Sequence, residues 1–281
     1  MLYKYTAPDG IISLKNKSFK ITPPNQFNDP YEFIPRISNG TDHEEMKKYL
    51  LDEENLVEFY EEVIEQELFK GTYEEFKDDI VNSADRFVST IVDNTMDKDT
   101  QWQSAQDFLE IISQIVGVFC LTKCPSNILM WSHYASSHTG IVIGIEEGSQ
   151  FLDNSDGVHR VEYTNERPEL DLSWLDGSKN IAEFGIEVLR KKFSCWAYEE
   201  EVRAVFSLAD SKAFDTDYGT IFLREFDPNS IQEVILGCRC SPELEDEVID
   251  ILSDECYLHV KLKKATLDPI NYKINSELIL D

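Results

Sequence analysis

No run of apolar residues approaches the ~20 that a membrane-crossing helix requires. The opening Met1-Leu2-Tyr3-Lys4-Tyr5 passes directly into Pro8-Asp9-Gly10, without a leader-like apolar stretch. These absences set the expectation of a cytoplasmic protein that neither spans nor coats a membrane. Basic residues are also scarce: 26 lysines and arginines face 54 aspartates and glutamates, a formal charge of −28. A body this acidic repels nucleic-acid backbones, which clustered cations normally hold, so long nucleic acid is disfavoured as a partner. A small nucleotide ligand or a basic protein partner is easier to accommodate, because net charge describes the long-range field and a cationic pocket can coexist with it.

Metal-ligand spacing is missing as well. The six cysteines include Cys120 and Cys124, Cys238 and Cys240, and the isolated Cys195 and Cys256, none at zinc-ribbon spacing. They read as buried free thiols. Among the five histidines, His133 and His138 lie five residues apart, a poor interval for two ligands on one helix face, and no metal is expected. There is no G-x-x-x-x-G-K-[ST] phosphate loop, G-x-G-x-x-G, G-x-S-x-G or H-E-x-x-H. Kinase, Rossmann dehydrogenase, α/β-hydrolase and zincin chemistries therefore lose their support.

What is present is a chain of 281 residues, 42% hydrophobic, able to bury a substantial core. Leu2 to Tyr5 reads as a strand, Thr6 as a helix cap with Pro8 in the first turn, and Ser18 to Thr22 as a second strand. From about Thr41 to Gly117 the pattern is helical and acidic. Thr41 with Glu44, and Thr72 with Glu75, have capping-box spacing, while Met46, Leu50, Val57, Tyr60 and Ile64 recur at helical steps. Strands are expected at 118–122, 141–145, 158–163, 221–223 and 234–236, with a closing strand through Leu258, Val260 and Leu262. Short helices are expected after Ser126 and Ser241 and around 181–193. Strands without regular βαβ alternation imply an α+β fold with a mixed, mostly antiparallel sheet. The reading is one domain over 1–281 with a helical insertion at 41–117.

Three segments combine polar residues with fixed geometry. Phe27-Asn28-Asp29-Pro30-Tyr31-Glu32 is either a well-made Asx turn or a loop presenting Asn28 to a ligand. In the second, Met130 to Gly140, Met130 and Tyr134 share one helix face and Trp131 and Ala135 another. His133 there is a candidate general acid/base or a satisfied structural histidine. The third is Trp196-Ala197-Tyr198-Glu199-Glu200-Glu201-Val202-Arg203. In a strand, Glu199, Glu201 and Arg203 would line one face, with neighbouring carboxylates about 7 Å apart. That face is either a charged edge that discourages aggregation or a site of chemistry. Lys191 and Lys192 upstream are either a cation pair for a diphosphate or the cationic last turn of a helix.

Together with Leu2-Tyr3-Lys4-Tyr5 and Ile231 to Gly237, these segments resemble a widespread bacterial family described only as a domain of unknown function. Beneath that, the opening strand resembles the start of ADP-ribosyltransferase-like domains, and Glu199-Glu200-Glu201 can fill their E-x-E element. This more distant resemblance implies an ADP-ribosyltransferase-like sheet, NAD as substrate, and a bacterial phage-defence or toxin–antitoxin effector with a possible protein antitoxin. It further implies Glu201 as the carboxylate that holds the nicotinamide ribose and stabilises an oxocarbenium-like transition state, with Glu199 orienting or deprotonating the acceptor. His133 and Tyr134 would line the cleft, with Lys4, Tyr5, Asn28, Asp29, Trp131 and Arg203 as further ligand contacts or tethers. Lys4 departs from the histidine or arginine of the transferase pattern. The alternatives are a non-catalytic binding or sensing module for a basic protein, and a metal-dependent nuclease or nucleotide hydrolase using Glu199, Glu201 and Asp29.

Overall fold

The structure is a computed structural model that describes residues 1–37, 43–65, 69–94, 98–170, 181–217 and 219–280. Its main sheet has eight strands. Numbered in chain order, the strands lie side by side as β15 (Ile274–Leu280), β14 (Lys261–Leu267), β13 (Ile231–Leu236), β5 (Ile141–Ile145), β1 (Leu2–Thr6), β4 (Val116–Thr122), β10 (Glu201–Ser207) and β6 (Gly157–Arg160). Every neighbouring pair is antiparallel except β13 and β14, whose parallel pairing needs the crossover helix α9 (Pro242–Leu252). The sheet is therefore mixed and mostly antiparallel, and it does not close into a barrel.

Both faces of its centre are covered, which is why β5 reads as an unbroken apolar run. Ile141, Ile143 and Ile145 join Leu2, Phe119 and Val202 in one core, whereas Val142 joins Tyr5, Trp131 and Ile235 in the other. The first core is roofed by α1 (Ile12–Asn16), the short α7 (Gln150–Asp153) and α9, through Leu14, Phe151 and Val248. The second is covered by α6 (Ile128–Tyr134) through Met130 and Trp131. A three-stranded sheet pairs β2 (Ser18–Ile21) with β12 (Gly219–Glu225) and β12 with β11 (Lys212–Thr216). The short strands β7 (Glu162–Thr164) and β9 (Lys191–Phe193) pair in parallel.

Two compact units emerge from the chain. One comprises 1–33, 108–167 and 187–281 and contains the sheets above; the other comprises 34–107 and 168–186. In the second, β3 (Arg36–Ile37) pairs in parallel with β8 (Glu169–Leu170). Helices α2 (His43–Leu50), α3 (Glu53–Glu65) and α4 (Tyr73–Asn94) pack around Leu50, Leu56, Phe76, Ile80 and Val88. Two helices contribute residues to both units: α5 (Lys98–Ser113) and α8 (Ile181–Arg190). The expected insertion at 41–117 thus overlaps a unit that begins at 34, ends at 107 and also takes in 168–186.

Several local expectations are corrected. Thr6 stays in β1, and the turn at Pro8 starts from Ala7 without a side-chain cap. Asn127, not Ser126, caps α6, its Oδ1 accepting from the amides of Leu129 and Met130. Lys191 and Lys192 belong to β9, not to a last helical turn. The 158–163 segment breaks at Val161 into β6 and β7. Leu258 is exposed ahead of the true closing strands β14 and β15. Val57 and Ile64, assigned to an apolar helix face, are exposed too. The cysteines are free, but Cys195 is exposed and the other five are only half-buried. Thr72 and Glu75 do form a reciprocal capping box; Thr41 lies outside the described residues. Strand β10 is flanked on both sides by β4 and β6, so its charges do not protect an edge.

Candidate functional site

The site begins where two strands part. β1 and β4 are paired only at Tyr3 and Thr122, and Thr22 bridges to Val118 further along β4. Between these ties lies a cavity of about 250 Å³. Tyr3, Tyr5, Phe27, Met130 and Tyr134 supply its apolar and aromatic surface, and Asn28, Lys192, Glu199 and Glu201 its polar one. Lys4 also lines the opening, but its ammonium is committed, donating to the Cys120 carbonyl at 3.1 Å and lying 4.8 Å from the Phe119 ring centroid.

Against the cavity sits a buried ionic cluster. Lys192 Nζ donates to Glu199 Oε2 at 2.7 Å and Glu201 Oε2 at 2.9 Å, and lies 3.5 Å from Glu32 Oε1. Arg203 donates through Nε to Glu201 Oε1 at 2.8 Å, through Nη1 to the Leu189 carbonyl at 2.7 Å, and through Nη2 to Glu32. All five side chains are buried, Lys192 being the most exposed at 7%. Three carboxylates against two cations leave one excess negative charge if all are ionised. Buried charge of this kind is sustained only by dense pairing.

Each ionisation follows from that pairing. Burial raises the Glu32 carboxyl above its ordinary value, outweighing Arg203 and Lys192. Burial would raise Glu201 as well, but Arg203 and then Lys192 hold it well below the usual carboxylate range. For Lys192 burial acts to lower the ammonium, yet Glu201, Glu32 and Glu199 raise it above its normal value. Burial, with the hydrogen bond to Glu199, pushes the Tyr134 phenol up; its hydroxyl donates to Glu199 Oε1 at 2.6 Å. Burial also pushes Tyr163 up, to about 12, and its hydroxyl accepts from the Glu201 amide at 2.8 Å.

The backbone explains why Glu199 reaches the cluster although it is not in the strand. Residues 194–199 form a 3-10 turn, and Glu200 adopts the left-handed conformation, φ 46°, before β10 begins. The expected strand alternation therefore holds for Glu201 and Arg203 but not for Glu199. Instead, the turn brings both flanking carboxylates onto one lysine and leaves Glu200 outside, exposed.

Three sequence segments are tied together here. Asp29 Oδ2 accepts from Trp196 Nε1 at 2.8 Å, while Oδ1 makes the expected Asx turn with the Tyr31 amide. Asn127 Nδ2 donates to the Tyr198 carbonyl at 2.7 Å. Lys4, Tyr5, Asn28, Tyr134, Glu199 and Glu201 line the same cavity. Four other candidates do not. Asp29 and Arg203 act as tethers behind it, and Trp131 is fully buried with Nε1 bonded to the Pro125 carbonyl. His133 is exposed, its ring beside Tyr134 and Tyr198. Tyr163 is a participant that the sequence did not mark, and Glu32 stood out only as the end of the 27–32 segment; no spacing signal links either to the acidic strand. Lys192 was marked only as a generic cation.

A family profile described as "Protein of unknown function (DUF2971)" matches residues 130–204. That span takes in both the Met130–Gly140 segment and the Trp196–Arg203 segment. No curated protein and no solved structure matches the chain. Among the described residues, no helix is long and apolar enough to cross a membrane, and no three His, Cys, Asp or Glu side chains are grouped to hold a metal ion.

Proposed function

We propose that the cavity binds the nicotinamide–ribose end of NAD and that the protein is ADP-ribosyltransferase-like. The observation that carries this reading is the convergence of Tyr134, Glu199, Glu201 and Asn28 on one cavity from three separate stretches of chain. Its volume, about 250 Å³, suits a nucleoside-sized fragment, below the ~300–1,000 Å³ usual for larger ligands. Tyr3, Tyr5 and Phe27 offer faces for a flat ring. Asn28 makes no side-chain hydrogen bond to the described residues, so its amide is available to a ligand.

In this reading the N-glycosidic bond breaks with its electron pair leaving on nicotinamide, and an acceptor oxygen or nitrogen bonds to the ribose carbon. Glu201, kept ionised by Arg203 and Lys192, stabilises the positive charge that develops on the sugar. Glu199 orients the acceptor or takes its proton, with Tyr134 holding the carboxylate in place. A phage-defence or toxin–antitoxin setting rests on the sequence resemblance alone. The test incubates the purified chain with NAD and follows nicotinamide release, together with label transfer in lysate. Release that disappears in a folded Glu201→Gln variant supports the reading. Absence of both NAD binding by calorimetry and nicotinamide release overturns it.

One observation favours a second reading, a binding module for a basic protein. Every oxygen of Glu199 and Glu201 is already engaged, by Lys192, Arg203 or Tyr134. In that case the cluster ties the fold together, and Glu201→Gln changes stability while partner binding persists.

A further inference from the structure

Two sequence segments remain outside the first cavity, His138-Thr139-Gly140 and the Gly237 that follows β13. They clasp one another. The Gly237 amide donates to the Gly140 carbonyl at 2.9 Å, and the Arg239 amide to the His138 carbonyl at 3.0 Å. The approach leaves no room for a side chain: a Cβ on Gly237 would lie 2.1 Å from the His138 carbonyl oxygen, and one on Gly140 2.1 Å from that of Thr6. Ser136, Ser137 and His138 all have positive φ, at 50°, 57° and 71°. That turn lays the His138 ring parallel to Trp131, with centroids 6.2 Å apart.

The clasp forms one wall of a second cavity, also about 250 Å³. Arg239 comes from this wall and Lys273 from the turn between β14 and β15. Neither has an ion-pair partner among the described residues. Asp268, in the same turn as Lys273, also lines the cavity, its Oδ1 accepting from the amides of Ile270 and Asn271 at 2.9 and 2.8 Å; its one negative charge leaves the two cations in excess. Ile128, Leu267 and Ile274 supply apolar surface, and the Tyr272 ring is fully exposed at the rim. Burial lowers the His138 imidazole from its ordinary value, and Arg239 lowers it further.

We propose that this cavity, where Arg239 and Lys273 converge on an apolar wall, binds a small organic anion with a phosphate or carboxylate head and a hydrophobic body. Unpaired cations in one concavity concentrate anions locally even on a chain of charge −28. The guanidinium fork matches either head group bidentately. The apolar wall takes the body, the usual division of labour in a small-molecule pocket.

Phenyl phosphate, inorganic phosphate and benzyl alcohol are the probes, titrated by calorimetry at low salt into the full chain. Phenyl phosphate is expected to bind one per chain, tighter than inorganic phosphate and far tighter than benzyl alcohol. Arg239→Gln and Lys273→Gln, both at exposed positions, are each expected to weaken it by about tenfold while leaving thermal unfolding unchanged. Tyr134→Phe, in the first cavity, leaves this affinity intact, so the two sites fail or stand separately. Absence of saturable binding, or equal affinity in wild type and both variants, overturns the proposal. Equal affinity for inorganic and phenyl phosphate overturns the part assigned to the apolar wall.

Discussion

Replacing Lys192 with methionine tests the ionic cluster most directly, because the volume is nearly kept and only the charge is removed. In the wild type the ammonium touches Glu199 and Glu201 and lies 3.5 Å from Glu32. In the variant Arg203 still holds Glu201 and Glu32, but Glu199 keeps only the Tyr134 hydroxyl. Removing one partner from a buried ion pair costs about 3–5 kcal/mol. That is a large share of the ~5–15 kcal/mol that holds a domain folded. The lysine also lies 5.2 Å from the Trp196 ring centroid, a cation–π contact worth about 0.5–2 kcal/mol whose loss does not depend on pH across the carboxylate range. The pH dependence therefore separates the two contributions. Without Lys192 the buried Glu32 and Glu201 lose a cation that favours their ionised forms, so acid relieves the variant. The deficit should be largest near neutrality and shrink as pH falls toward 4.5, the ordinary glutamate value. Urea unfolding of wild type, Lys192→Met and Lys192→Met/Glu199→Gln at several pH values reads this out. The double variant should recover part of the loss, with a coupling of about 0.5–3 kcal/mol. A deficit below about 1 kcal/mol would refute the claim that Lys192 neutralises the cluster. So would one of the same size at acid and neutral pH, which would assign the loss to packing against Trp196.

Glu32→Gln should gain relative to wild type as pH rises from about 4.5 to 7.5 in urea unfolding, because a carboxyl whose folded value is raised loses stability as it ionises; a flat difference contradicts this. The Glu201 contribution has the opposite sign: present above pH 4.5 and lost below it, it should vanish from the acid limb of the stability curve in Glu201→Gln. Tyr134→Phe removes a donor to a buried carboxylate and should cost about 1.5–3 kcal/mol in unfolding free energy. Gly237→Ala places a methyl where the His138 carbonyl stands and should cost about 1–3 kcal/mol, read as a lowered midpoint of thermal unfolding.

Local chemistry made much of the fold legible. The extended character of Leu2–Tyr5 and the apolar run 141–145 gave β1 and β5, and Ser241 before Pro242 marked the start of α9. These signals act within a few residues, so periodicity and capping suffice to find them. β11 and β15 escaped although each forms a hairpin with its neighbour, because they are almost wholly exposed and so carry no apolar alternation; β9 escaped because its strand character depends on β7, earlier in the chain. Charge and propensity at Lys192 suit a helix end, whereas pairing with Tyr163 makes it a strand residue.

The candidate site divides in the same way. The sequence by itself determined which residue types were available: three segments rich in polar and aromatic residues, an Asx turn at Asp29, and Glu201 and Arg203 on one strand face. Only the tertiary structure decided what they became. The left-handed turn at Glu200 removed Glu199 from the strand and brought it back to Lys192. Glu32 joined from 171 residues away, while the parting of β1 from β4 opened the cavity. Buried charge is stable only where partners from distant parts of the chain meet it, and no local pattern records those meetings.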